Sequence, residues 1–184
     1  MINIFNQMSG RVEIVIGCMF SGKSTELIRR ISRYEAIGQK TLLINHLLDT
    51  RTGKSVKTHS NQERVALKTN TLLGIMDRPS YKNSKVIGID EAQFFTDLYR
   101  FVLESEKDNK IIIIAGLDGD SNRKPFGQIL NCIPLCDEIT KLTAMDMVSK
   151  DGTPAIFTKR IVENKNQVLV GAQDCFIAVS RSNY

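Results

Sequence analysis

The stretch Val12-Glu-Ile-Val-Ile16-Gly17-Cys-Met-Phe-Ser-Gly22-Lys23-Ser24 decides how the chain reads. Residues 12–16 are a short apolar run that stops at a glycine, the pattern of a buried strand. Gly17 to Ser24 then match the spacing G-x-x-x-x-G-K-[ST]. From Lys23 onward Leu27, Ile31 and Tyr34 recur at helical spacing, with Ile28 beside them, and Gly38 is a helix stop. A glycine-rich turn between a strand and a helix presents backbone amides, with the helix N-terminus behind them, to phosphate oxygens. In such a turn Lys23 reaches the β- and γ-phosphates of a nucleotide and Ser24 ligates Mg2+. Met19, Phe20, Ser21, Gly22 and Thr25 complete the expected cradle. A fortuitous glycine turn is the bland reading, and the flanking strand and helix weigh against it.

Outward from this stretch, residues 41–44 read as a second strand and 85–89 as a third, ending at Asp90. The polar segment 49–62, with Gly53 and several Ser and Thr, reads as a loop. Residues 92–107 look helical. Residues 111–115 are continuously apolar and are expected to form a fully buried central strand. Strands alternating with helices predict an α/β fold, a parallel sheet flanked by helices. After about Thr143 the pattern changes. Residues 155–161, 168–170 and 176–179 are strand-like runs without helices between them. The expected division is therefore a core at 1–142 and a small β-rich unit at 143–184.

Val86-Ile-Gly-Ile-Asp90 is an apolar strand ending in a carboxylate, the arrangement that holds Mg2+ behind a phosphate-binding turn, partly through water. Glu91 follows. A carboxylate there can accept a proton from an attacking water or from a substrate hydroxyl. It can equally be a helix-N-terminal Glu favoured by the dipole. His46 and His59 have no Cys or His at ligand spacing and read as loop or packing residues. Of Phe94 and Phe95, one is expected in the core and one at the site.

The bulk numbers bound the class. The chain has 184 residues, 42% of them hydrophobic and 24% charged, which is enough for a sizeable core and excludes a disordered class. The net charge of +5 and a pI near 9.1 suit an enzyme of anionic nucleotides. There is no basic run and no Trp, so nucleic acid is not an expected partner. Cys18, Cys132, Cys136 and Cys175 form no Cys-x-x-Cys pair and read as reduced thiols. Neither a leader nor a membrane span is expected, which points to the cytoplasm.

Beyond single motifs, the chain resembles the type II thymidine kinase family, of cytosolic and viral type. The matching stretches are Met19-Phe-Ser-Gly-Lys-Ser-Thr-Glu-Leu27, Asp49-Thr-Arg51, Thr58-His59, Ile87-Gly-Ile-Asp-Glu-Ala-Gln-Phe-Phe95, Leu117-Asp-Gly119, Arg123-Lys-Pro-Phe-Gly127, Ile129-Leu-Asn131 and Thr158-Lys-Arg160. Their order and spacing fit from about residue 11 to the end. The resemblance implies γ-phosphoryl transfer from ATP to the 5′-hydroxyl of thymidine, with deoxyuridine as a further acceptor, giving dTMP for DNA precursors. Glu91 would be the base, and Ser24 and Asp90 would serve Mg2+. Gln93, Asp49 and Arg51 would sit near the phosphates or sugar. Met19, Phe94, Leu117, Phe126 and Thr158 would line the thymine pocket. A loop over about 162–179, the family's lasso, would close on the base through Leu169, Val170, Gly171 and Phe176. The family also implies a homodimer or homotetramer.

Departures from the family pattern are visible too. Cys18 replaces a common Pro. Ser121 stands where an aromatic is usual, and Phe176 where Tyr is usual. The family's four zinc ligands fall on Asp146, Ser149, Ser180 and Asn183, an oxygen-rich set without thiolates, so zinc is not expected. The rival readings are a P-loop ATPase using Glu91 on water and a non-catalytic nucleotide-binding protein. The Asp-Gly and Arg-Lys-Pro-Phe-Gly stretches and the β-rich tail weigh against the first. Intact Lys23, Ser24, Asp90 and Glu91 weigh against the second.

Overall fold

The computed structural model describes residues 10–49, 55–57, 63–163 and 175–184. Its strands are β1 (Arg11–Gly17), β2 (Thr41–His46), β3 (Ser55–Lys57), β4 (Glu63–Val65), β5 (Leu67–Thr69), β6 (Val86–Asp90), β7 (Ile111–Gly116), β8 (Glu138–Leu142), β9 (Ala144–Met145), β10 (Pro154–Ala155), β11 (Phe157–Arg160) and β12 (Phe176–Val179). Its α-helices are α1 (Lys23–Ala36), α2 (Pro79–Lys82) and α3 (Leu98–Lys107).

Six strands pair in parallel in the order β5-β2-β6-β7-β1-β8. Alternation along them explains the layers. Val12, Ile14 and Ile16 of β1 join Ile112 and Ile114 of β7 on the face covered by Phe95, Leu98 and Phe101. Val15, Ile113 and Ala115 face the other way, onto Leu27, Ile28 and Ile31 of α1. All six residues of β7 are buried, and β7 lies inside the sheet as its apolar run predicts. Glu13 is the polar intruder in β1. It is buried because Arg30 of α1 donates to it at 2.6 Å. The carboxyl ends of β1, β6 and β7 lie level, with Ile16 opposite Gly116 and Ile89 opposite Ile114. In a parallel sheet that crevice is where ligands bind.

The structure corrects several expectations. The helix expected over 92–107 is two pieces: a 3-10 turn at Ala92–Phe94 and then α3 from Leu98. Between them Phe95 turns extended, and the Asp97 carboxylate accepts N–H bonds from Leu72 and Leu73 and a bond from the Thr71 hydroxyl. Capping the neighbouring turn holds that segment out of the helix. The segment 49–62 is not loop throughout, because β3 pairs antiparallel with β4. The β-branched Val65 favours that ribbon, and Arg64 ties it to Glu35 and Ser32 of α1. Strands β5 and β8 are additions. Both are edge strands, and β8 alternates half-buried and exposed residues, so neither carries an apolar run.

The run expected over 155–161 is split: its start pairs as β10 with β9, a strand the sequence did not announce, and its remainder pairs as β11 with β12, the run expected at 176–179. The run at 168–170 lies outside the described residues. Cys18, Ala144, Ala155 and Ala178 form a small buried cluster where the tail meets the 17–24 turn. Among the described residues no helix is long and apolar enough to cross a membrane. All four cysteines are free thiols.

Candidate active site

The site begins where β1 ends. At Gly17 the backbone takes φ +148, and a Cβ there would lie 2.3 Å from the Leu142 carbonyl oxygen. Only glycine lets the edge strand β8 approach this closely. The turn then folds on itself: Ser21 Oγ and Lys23 Nζ both donate to the Cys18 carbonyl, at 2.8 and 2.6 Å. Phe20 sits at φ 65. Gly22 closes the first turn of α1, its carbonyl accepting the Glu26 N–H at 3.0 Å. Thr25 is exposed on the first turn. Burial raises the Cys18 pKa, which keeps it a neutral thiol. Burial also pushes the Lys23 ammonium down, and Glu91 is the largest of the charges opposing that shift.

Two strands away, β6 delivers Asp90 and Glu91. Ser24 Oγ donates to Asp90 Oδ1 at 3.1 Å, so the two predicted Mg2+ residues touch. The Glu91 N–H also donates to Asp90 Oδ1, at 3.0 Å. Glu91 itself has left-handed backbone, φ 50 and ψ 40. For a residue with a side chain that conformation costs about 1–3 kcal/mol and clusters at functional sites. Gln93 Nε2 donates to Glu91 Oε2 at 2.6 Å, and Gln93 Oε1 accepts the Leu117 N–H at 3.0 Å. One buried amide therefore fixes the carboxylate from β6 and the chain leaving β7 together. Gly127 makes room for it: a Cβ there would lie 2.1 Å from the Gln93 carbonyl oxygen, at φ +62.

The aromatic wall stands beside this pair. Phe95 is fully buried in the core, whereas Phe94 is half-buried and meets Phe126 edge-on at 5.6 Å. Phe95 is thus the core member of the pair. His46 is a packing residue: its Nδ1 accepts the Leu48 N–H at 3.1 Å and its ring lies 4.7 Å from that of Phe95. Thr158 of β11 accepts the Met19 N–H on its Oγ1 at 2.9 Å, tying the tail to the 17–24 turn.

The model of the thymidine kinase family matches residues 10–184. The chain belongs to that family. It is 42% identical to the thymidine kinase of raccoon poxvirus over 175 residues, covering 95% of this chain and 97% of that relative. Against the sheeppox virus thymidine kinase the figures are 43% over 176 residues, 95% and 97%. Thymidine kinase 1 of Dictyostelium discoideum is 40% identical over 186 residues, 98% of this chain and 80% of that relative.

Of the residues singled out from the sequence, the structure links Ser24, Asp90, Glu91, Gln93 and Leu117 through the bonds above, and Met19 with Thr158, while Lys23 bonds the Cys18 carbonyl and feels the charges of Glu91 and Asp90. Asp49 accepts from Asn45 Nδ2 at 2.9 Å, and Asn45 is the register partner of Asp90. Phe176 is buried, with the Arg160 guanidinium 5.4 Å from its ring centre. Arg51, Leu169, Val170 and Gly171 lie outside the described residues, as does His59. Sequence reasoning passed over Asn45 and gave no role to Asp118 of the Leu117-Asp-Gly119 stretch, whose carboxylate pairs with Lys141 at 2.7 Å. It also missed Tyr184, whose hydroxyl donates to the Ser121 carbonyl at 2.6 Å. The Tyr184 ring thus lies near Ser121, the position where the family resemblance leads one to expect an aromatic.

Proposed function

We propose that this chain is an ATP-dependent thymidine kinase, moving the γ-phosphoryl of ATP to the thymidine 5′-oxygen. One observation carries the reading. Glu91, in a strained left-handed backbone, is clamped by Gln93 beside the Ser24–Asp90 pair and is the chief charge opposing the desolvation of Lys23. The names and extents of the relatives support the same substrate.

In this reading the 17–24 turn is a P-loop. Its amides bind the phosphates, Lys23 neutralises the β,γ-oxygens, and Glu91 orients the 5′-hydroxyl and takes its proton in line with the leaving phosphate. Holding the acceptor in that geometry supplies much of the acceleration, since transfer through a loose transition state needs little covalent help from the protein. The 3.1 Å separation of Ser24 Oγ and Asp90 Oδ1 suits two neighbouring ligands of an octahedral ion with bonds of about 2.0–2.1 Å. Among the described residues no group of three or more His, Cys, Asp or Glu could hold a metal. In this reading Ser24 and Asp90 would hold Mg2+, partly through water. When bound, Mg2+ would neutralise charge on the β- and γ-oxygens.

Thymine would lie against Phe94, Leu117, Phe126 and Met19, with Thr158 and Phe176 contributed by a tail unit at 143–184 whose lasso carries Leu169, Val170 and Gly171. Arg51 and Asp49 would flank the phosphates. Assembly into a homodimer or homotetramer is supported by β8. That edge strand has one free side among the described residues and an exposed Ile139.

Glu91→Gln tests the reading. The amide keeps size and hydrogen bonding but is no base, so kcat should fall about 10²–10⁴-fold with ATP affinity changed far less. Steady-state assay with thymidine, alongside a blank without nucleoside, reads it. A Gln variant turning over at the native rate, or ATP consumption indifferent to thymidine, sinks the assignment.

A further inference from the structure

The four positions where the family resemblance places zinc ligands converge in this chain on one carboxylate. Asp146 is buried, at 2% exposure. Its Oδ1 accepts the N–H groups of Val148 and Ser149 at 2.7 and 3.0 Å. Its Oδ2 accepts the Ser180 N–H at 2.6 Å and Asn183 Nδ2 at 3.0 Å. A carboxylate has about four acceptor positions, and here four donors fill them.

Zinc does not fit this set. The residues offer one anionic oxygen ligand, two neutral hydroxyls and an amide, with neither thiolate nor imidazole. Asn183 turns its donor end toward Asp146, and Ser180 shares its hydroxyl with Ser182 at 3.0 Å. Binding a cation would require breaking the four bonds that organise the site.

The hub sits where it controls the substrate end of the tail. Ser180 directly follows β12, and β12 pairs with β11 so that Ala178 faces Thr158. Thr158 holds the Met19 N–H, and Ala178 packs with Cys18 in the same buried cluster. On the other side Asp146 follows β9, and Met147 donates its N–H to the Ala178 carbonyl at 2.9 Å. The same end is fastened twice more, by Lys159 Nζ on the Asn183 carbonyl at 3.1 Å and by Tyr184 on Ser121.

We infer that the Asp146 carboxylate takes the place of the family's metal as the cross-link of the tail, and that it serves the reaction as a positioning residue. It touches no reacting atom. It holds Thr158 and Phe176 in register with the 17–24 turn, so its loss should weaken nucleoside binding far more than ATP binding. The kinetic half of this inference rests on the thymidine kinase reading, and the metal half does not.

The experiment uses the full chain. Elemental analysis should find well under one zinc per chain. Prolonged chelation followed by added Mg2+ should leave kcat and both KM values unchanged. Stoichiometric zinc, or activity restored by zinc rather than Mg2+, overturns the inference. Asp146→Asn keeps the shape but exchanges one acceptor oxygen for a donor amide. It should raise the thymidine KM about 10-fold while the ATP KM and kcat stay within about 2-fold, and it should lower Tm by several degrees. Asn183→Ala, which removes one of the four donors, should move the same quantities less. A native thymidine KM and native Tm in Asp146→Asn overturn the hub.

Should Asp146→Asn fail to fold, the quadruple variant D146C/S149C/S180C/N183C, produced with zinc, decides. Convergent positions should bind one zinc per chain and recover the native thymidine KM in a chelator-sensitive way. A folded quadruple variant without bound zinc shows that the positions do not converge. If the native chain has no thymidine turnover at all, the kinase reading falls. Zinc content and the Asp146→Asn melting shift still judge the hub on their own.

Discussion

The parallel sheet and the tail beyond Ala144 keep their shapes by opposite means. The sheet is sandwiched between apolar layers in which Ile14, Leu27, Phe101 and Ile114 have no exposed surface. Burial of that kind is non-directional and shares its stabilisation over many contacts. The described part of the tail buries Ala144, Ala155, Ala178, Val179 and Phe176, most of them small, and is organised by directed bonds onto Asp146. A hydrogen-bonded hub depends on each member, because a buried acceptor left without its donors is costly. Damage of equal size should therefore surface in different measurements in the two regions.

Phe101→Ala should break the sheet side hardest. The ring is fully buried on α3 and meets Tyr81 at 5.9 Å, so its removal should cost about 3–5 kcal/mol of global stability. Urea unfolding reads this, and kcat/KM of the molecules still folded should be native. A loss under about 1 kcal/mol would mean the core is not the continuous apolar body described.

Ala178→Val sharpens the contrast from the tail side. Ala178 is fully enclosed by Cys18, Ala144 and Ala155, and its N–H faces Met147 Sδ at 3.3 Å. Two added methyls overpack the junction by about 1–3 kcal/mol. The strain falls on the 17–24 turn through Cys18, so activity should drop more steeply than Tm. Equal loss in both assays would erase the distinction between the regions.

The smallest effect concerns acid. Hydrogen bonding from Arg29, reinforced by Arg30, lowers the Glu26 pKa to about 2. A carboxylate depressed in the folded state stabilises the protein above its unfolded pKa of about 4.3 and loses that contribution as pH falls toward 2. Glu26 is partly solvated, so the contribution should stay below about 1 kcal/mol. Urea midpoints of Glu26→Gln should lie slightly below native at pH 7 and meet it near pH 2. A gap that persists in acid would show that Glu26 acts through packing.

The strands β1, β6 and β7 were legible because each is mainly apolar, Glu13 being the one charged residue buried inside β1, and because β1 and β6 run straight into residues with a chemical role. So was α1, whose Leu27 and Ile31 keep one face. Strand β8 was not, because Glu138, Thr140 and Leu142 are only half-buried and an edge strand needs no apolar run. The break before α3 was hidden because Asp97 serves a turn 25 residues earlier, which no local pattern records. At the site, residue types gave Lys23, Ser24, Asp90 and Glu91. The clamp from Gln93 to Leu117 and the bond from Thr158 to Met19 join distant segments, and they became visible only when the sheet brought those segments together.

The pairing of β1 with both β7 and β8 has a consequence for how the protein comes into being. Arg11 aligns with Ile111, and Gly17 with Leu142. Strand β1, the first among the described residues, thus waits for about a hundred further residues before it has either neighbour. Contacts so distant along the chain form slowly and leave apolar surface uncovered meanwhile. A nascent chain released before residue 142 lacks the strand against which Gly17 closes, so the 17–24 turn gains its last wall only late in translation.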